Sequence, residues 1–182
     1  LKHKLYMPQD MVEHFYELTG KVSQVLNDNN VKHVIVCGTL LGAIRHKGFI
    51  PWDDDVDICV LEADYPRMKN IDWKKHGLIP RRLDPQSIGH IVFDDKTKYN
   101  DGGKMTCVFL DVFALKPDGD KLVYSSDKAR KTWPKEYLYP NEFHNPVPVE
   151  FGPCILPAPN NPVNYLNRVF GKNWHIPAHK YK

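Results

Sequence analysis

Gly38-Thr39-Leu40-Leu41-Gly42-Ala43-Ile44-Arg45-His46-Lys47-Gly48-Phe49-Ile50-Pro51-Trp52-Asp53-Asp54-Asp55-Val56-Asp57-Ile58 is the stretch on which the fold turns. It ends in Asp53-Asp54-Asp55-Val56-Asp57 and runs straight into the apolar Ile58-Cys59-Val60-Leu61, so the acids sit at the mouth of a strand spanning Asp55 to Leu61. Side chains alternate faces along a strand, which predicts that Asp53, Asp55 and Asp57 point one way and Asp54 and Val56 the other. Carboxylates crowded on one face repel and are costly to bury unpaired. A hard divalent cation, Mg²⁺ or Mn²⁺, resolves that conflict, because it takes oxygen ligands from one or two carboxylates, waters and substrate phosphates.

Other readings of an acidic run compete. A solvated turn is the usual fate of such clusters, but this one leads directly into a buried run. A calcium-binding EF-hand loop needs glycine at its sixth position and glutamate at its twelfth, where Ile58 and Asp64 stand. The Asp-x-Asp of a metal-dependent glycosyltransferase is chemically close and stays open as an alternative.

Upstream, His33 to Cys37 is a short β-branched run, read as a buried strand. Thr39 is a candidate N-cap for a helix over Leu40–Lys47, closed by Gly48. Free N–H groups at a helix start attract anions, and glycine lets a phosphate approach the backbone. Gly38, Thr39 and the planar fork of Arg45 are therefore candidate phosphate contacts. Each is weak evidence alone; the combination beside an acidic strand is stronger.

Downstream, Asp111 interrupts the apolar run Met105 to Leu115, where a charge is rare unless paired or metal-bound. Asp111 is the third candidate metal ligand beside Asp55 and Asp57, or a general base for an acceptor hydroxyl. The plainer reading is a strand-end carboxylate paired with a lysine or a backbone N–H. Lys104 lies just ahead and can meet a donor phosphate. Trp52, Asp53 and His46 are candidate substrate contacts. For Trp52 a stacking role competes with ordinary packing, and packing is slightly favoured. His46 and His90 can contact phosphate or move protons, though surface or core histidines are commoner.

The rest of the chain frames these residues. Met11, Val12, Phe15, Leu18, Val22, Val25 and Leu26 recur at helical spacing within residues 8–29. Asp64 to Lys69 reads as a helical turn, Leu78–Leu83 and Ile88–Phe93 as strands, Asp94 to Gly103 as a polar loop, and Leu122–Tyr124 as the return arm of a hairpin. Eight prolines between Pro134 and Pro162 predict a loop-dominated last third with short edge strands and one helix, Pro162–Phe170, capped by Asn160 and Asn161.

At 182 residues, 42% hydrophobic and 26% charged, the chain has the size of one domain that buries a core without disulfides. Disorder and fibrous or solenoid architectures are excluded, and no apolar run is long enough to span a bilayer. With 25 Lys and Arg against 22 Asp and Glu, the net charge of +3 argues against nucleic acid and suits a small anionic substrate. Cys37, Cys59, Cys107 and Cys154 form no C-x-x-C pair, which argues against structural zinc. They read as small buried hydrophobes, with lumenal disulfides the lesser alternative. No signal peptide is visible, and Leu1 in place of Met is consistent with a processed product or an excised domain.

The opening stretch resembles the hallmark block of the LicD family, which includes the fukutin and fukutin-related proteins. Leu110-Asp111-Val112-Phe113 resembles that family's later acidic strand. Pro157-Ala158-Pro159-Asn160-Asn161-Pro162, Tyr165-Leu166 and Gly171-Lys172-Asn173-Trp174 resemble its closing segment. The resemblance covers about residues 10–178 and implies one LicD-like domain over 1–182. The implied fold is α+β, nucleotidyltransferase-like: a small mixed β-sheet flanked by helices, with the active site at the sheet's edge. It implies transfer of a phospho-alcohol, such as phosphocholine or ribitol phosphate, from a CDP-activated donor to a sugar hydroxyl of a glycan, with release of CMP. A glycosyltransferase using a nucleotide sugar and a non-catalytic glycan-binding member are the alternatives. The zinc-binding cysteines of fukutin-related protein and the N-terminal anchor domain of animal members have no counterpart. Location follows source: cytoplasmic in a bacterium or virus, Golgi lumen in a eukaryote.

Overall fold

The computed structural model describes residues 7–93, 98–101 and 104–176. The helical periodicity near the N-terminus becomes α1, Gln9–Asp28, entered from Pro8. It buries Met11, Phe15, Leu18, Val22, Val25 and Leu26, each worth roughly 1.5–3 kcal/mol in transfer free energy. β1 (His33–Ile35) leads into α2 (Cys37–His46), and β2 is Val56–Leu61. A short 3-10 turn and α3 (Tyr65–Lys69) follow, then a second 3-10 turn, β3 (Leu78–Arg81) and β4 (Gly89–Phe93).

The main sheet runs β1-β2-β7-β4-β3, where β7 is Leu110–Asp118. β8 (Lys121–Tyr124) hairpins back onto the far end of β7. β2 and β7 pair in parallel, and the other pairs are antiparallel, so the sheet is small and mixed as expected. Its β2–β7 centre reads as near-continuous apolar sequence because it is covered on both faces.

The single strand expected over Met105–Leu115 is two. β6 (Lys104–Thr106) pairs with β5 (Tyr99–Asp101) in a separate ribbon, and the main-sheet strand begins only at Leu110. Part of the loop expected over Asp94 to Gly103 is therefore strand; residues 94–97 and 102–103 lie outside the described residues. β3 stops at Arg81 rather than Leu83, because Arg82 turns left-handed at φ 52.

The last third is more ordered than its prolines suggest. It holds α4 (Asp127–Thr132), α5 (Pro140–His144), a β9–β10 hairpin (Val147–Phe151 with Cys154–Ala158) and α6 (Pro162–Phe170). Prolines open α5 and α6, where a missing N–H costs nothing. Asn161 occupies the N-cap position of α6, but it does so with left-handed backbone (φ 58) and no side-chain cap. The hairpin turn is tied to α2 by Gly152 N–H donating to the Lys47 carbonyl at 2.7 Å. Among the described residues no disulfide is formed. Among the described residues no helix is long and apolar enough to cross a membrane.

Candidate active site

The sheet register builds the site. Asp57 on β2 stands directly opposite Asp111 on β7, so the two carboxylates leave the same face side by side. Asp55, just before β2, joins them: one oxygen from each of the three lies within 4.8 Å of the others. The same register places His90 of β4 on the other flank of Asp111, and His90 Nδ1 hydrogen-bonds to Asp111 Oδ1. Asp53, Asp54 and Asp55 form a second group of the same tightness. Asp53 and Asp55 both precede the strand, and Asp53 still lies near enough to act on Asp55 and Asp57. β2 starts at Val56, and the residues before it follow a turn closed by Asp53 N–H on the Ile50 carbonyl at 2.9 Å.

Electrostatics in this cluster are unfavourable without a cation. Burial, then the Asp55 and Asp54 charges, pushes Asp53 up to about 7. Burial, with Asp54 and Asp111, pushes Asp55 up to about 6. Asp57 is raised well above the ordinary carboxylate range by burial and by its acidic neighbours. Asp111 is raised by burial, with the His90 hydrogen bond pulling the other way. An all-oxygen set of three converging carboxylates fits a hard divalent cation such as Mg²⁺ or Mn²⁺. Asp55, Asp57 and Asp111 are the residues that can hold it.

α2 meets this cluster end-on. It begins at Cys37, not Leu40, and the position before its first turn is Val36, so Thr39 is not its cap. Thr39 Oγ1 instead accepts from Asp57 N–H at 2.9 Å, and Val36 N–H donates to the Asp57 carbonyl at 3.1 Å. The first turn of α2 is thereby latched to the acidic strand. Gly38 faces Asp53 so closely that a Cβ there would sit 2.6 Å from Asp53 Oδ2, so any larger residue must displace the Asp53 carboxylate. Gly42, one turn on, is required by backbone: its Cβ would lie 2.5 Å from the Gly48 carbonyl oxygen.

Behind the latch lies a cluster with no signal in the sequence. Cys37 opens α2 at φ 51, a strained value for a residue with a side chain. Its N–H donates to Tyr165 Oη at 3.2 Å, and its thiol donates to Glu136 Oε2 at 3.1 Å. Tyr165 and Tyr124 (3.3 Å) donate to the same oxygen. Burial, foremost, holds both tyrosines and the Cys37 thiol well above their ordinary values, so all three stay protonated donors. Glu136 joins β8, α6 and α2 through one carboxylate oxygen.

The other expected residues land in different places. Arg45 Nη1 donates to the Trp174 carbonyl at 2.8 Å and Nε to His46 Nε2 at 2.9 Å, so its fork braces the C-terminal segment. Trp52 is 49% exposed beside the acids and is not packed as the sequence favoured. Lys104 falls on β6, where only the backbone is described.

Residues 30–161 match the family described as LicD/FKTN/FKRP, nucleotidyltransferase domain. The chain belongs to the LicD family. It is 32% identical over 85% of its length to an uncharacterized protein of Rickettsia prowazekii, and covers 53% of that protein. It is 36% identical over 48% of its length to the lipopolysaccharide cholinephosphotransferase LicD of Haemophilus influenzae, covering 37% of it. It is 28% identical over 88% of its length to the mouse ribitol-5-phosphate transferase FKTN, covering 33% of it. The chain thus spans between 33% and 53% of the length of these relatives, and the two with functional names are called transferases.

Proposed function

We propose that this LicD-family chain transfers a phospho-alcohol from a CDP-activated donor to a sugar hydroxyl of a glycan, releasing CMP. The observation that carries the reading is the in-register Asp57–Asp111 pair, with Asp55 within 4.8 Å, beside the opening of α2. The names of the cholinephosphotransferase and ribitol-5-phosphate transferase relatives point to the same class of cargo.

In this reading Asp55 and Asp57 would hold Mg²⁺ or Mn²⁺, with Asp111 as the third ligand or as the general base. The bound cation supplies Lewis-acid stabilisation of charge on the donor phosphates. The first turn of α2, at Gly38 and Thr39, receives a donor phosphate with its backbone N–H groups. Thr39 keeps that turn in register with Asp57 through the hydroxyl contact. Asp53 and Trp52 line the approach, and Lys104 is a candidate contact for a donor phosphate. Arg45 and His46 brace α2 against the segment around Trp174. The acceptor oxygen attacks the phosphorus, the bond to the CMP oxygen breaks, and CMP leaves with the electron pair. The hydroxyl proton passes to a carboxylate of the cluster, Asp111 being the one that His90 holds in place. Such chemistry is mostly positioning and electrostatics.

The test is CMP release from CDP-choline, CDP-ribitol and CDP-glycerol with a glycan acceptor, with and without Mg²⁺ or Mn²⁺, against UDP- and GDP-sugars. Metal-dependent CMP release that is lost in Asp57→Asn supports the reading. Consumption of a nucleotide sugar in its place contradicts it and points to glycosyl transfer.

A further inference from the structure

The row of side chains that begins with the carboxylates does not end at His90. β3 pairs with β4 in register, and Arg81 stands opposite His90 just as His90 stands opposite Asp111. Directly paired residues share a face. Four strands therefore present Asp57, Asp111, His90 and Arg81 side by side, acidic at one end and basic at the other.

His90 lies between the two ends of the row. Its Nδ1 is taken by Asp111, so the opposite ring nitrogen points away from the carboxylate, and the side chain is 31% exposed. Phe109 meets the ring edge-on at 5.7 Å and fixes its plane. Arg81 is exposed, and among the described residues no ion pair engages its guanidinium. Neighbouring strands lie about 4.8 Å apart, so the His90–Arg81 end begins about 5–10 Å from the carboxylate pair. A diphosphate with its flanking oxygens and one arginine arm spans that distance.

We propose that Arg81 forms an anion subsite that receives a second phosphate of the ligand, so that a diphosphate lies across the strands from the carboxylate cluster, past His90, toward β3. This rests on the donor reading above for the identity of the ligand, but not for the chemistry of the subsite. The α2 turn and Arg81 then flank the cluster from opposite sides. The planar guanidinium suits a terminal phosphate oxygen pair.

The experiment compares CMP, CDP and inorganic pyrophosphate by calorimetry in the presence of Mn²⁺, on the full chain. Arg81→Ala should weaken CDP and pyrophosphate about tenfold, the lower range for a charged hydrogen bond, and leave CMP unchanged. Arg82→Asn is the control: it removes the same charge one residue further on, off the row and in a conformation asparagine tolerates. It should change neither. Equal weakening of CMP and CDP, or equal effects of the two variants, overturns the subsite, as does unaltered diphosphate binding in Arg81→Ala. If the wild type binds pyrophosphate but no nucleotide, and Arg81→Ala loses it, the subsite stands and the CDP-donor reading falls. If the wild type binds none of the three, both fall.

Discussion

Two carboxylate clusters meet at the start of α2, and they are built on opposite terms. In front, Asp53, Asp55, Asp57 and Asp111 crowd together with one histidine among them; burial raises all four, and mutual repulsion adds to it at Asp53, Asp55 and Asp57. Behind, a single carboxylate, Glu136, accepts three neutral donors on one oxygen. The rear arrangement is satisfied by the chain itself, with the half-buried Glu136 fully supplied with donors. The front arrangement is not, and strain of that kind is kept where a ligand relieves it. The contrast separates acids that bind from acids that brace.

The largest effect should come from removing a front acid. Asp57→Asn is expected to abolish turnover. Because the change also removes a repelled charge, the metal-free protein should melt no lower than wild type. A Tm gain of about 2–4 °C corresponds to about 1 kcal/mol for a chain of this size. A fall in Tm of that size or more would place Asp57 among the bracing acids.

Removing the rear acid should do the reverse. Glu136→Gln replaces the charged acceptor of three donors, at a cost of about 1–3 kcal/mol, and should lower Tm whether or not metal is present. Tyr165→Phe should show part of the same loss, since it removes both the donor to Glu136 and the acceptor for Cys37 N–H. Chemical denaturation of the two variants and the double variant would measure their coupling.

The pH dependence sharpens the contrast further. Asp53 at about 7 and Asp55 at about 6 bind protons more tightly folded than at their ordinary 3.8. Stability from these groups is fully present below that ordinary value and is lost as pH rises through about 6 to 7. Metal-free Tm should therefore fall across this window. The Tm increment from Mg²⁺ or Mn²⁺ should be larger above pH 7 than near pH 5, because the cation needs the carboxylates ionised. Thermal scans with and without metal across this range check both signs.

The smallest effect belongs to the latch. Thr39→Val keeps the shape and removes the acceptor for Asp57 N–H, for about 1 kcal/mol by denaturation. A loss well above that would mean the latch carries more than one hydrogen bond's worth of the front cluster's placement.

The front cluster was legible in the sequence because its signal is local. Acids that interrupt apolar runs, at Asp55–Asp57 and at Asp111, stand out against the pattern around them. The rear cluster was not legible: Cys37, Tyr124, Glu136 and Tyr165 are brought together by contacts between residues 12 to 128 positions apart, and none breaks a local pattern. The start of α2 was misjudged for a related reason. His33 to Cys37 reads as strand by composition, but Cys37 is turned left-handed by partners far along the chain, which moves the helix start forward and frees Thr39 for the latch. The one-strand reading of Met105–Leu115 failed because apolar composition does not mark where a chain leaves one sheet for another. Likewise His90 beside Asp111 and Arg81 beside His90 are consequences of register, which no spacing along the chain reports.

The most direct test of the front cluster as a cation-dependent donor site is a calorimetric titration of CDP-choline and CDP-ribitol near pH 7.5, with Mn²⁺ and with chelator, on wild type and Asp55→Asn. Binding of a CDP compound that requires Mn²⁺ and disappears in Asp55→Asn is the expected result. Binding that is equal with chelator, or unchanged in Asp55→Asn, would contradict it.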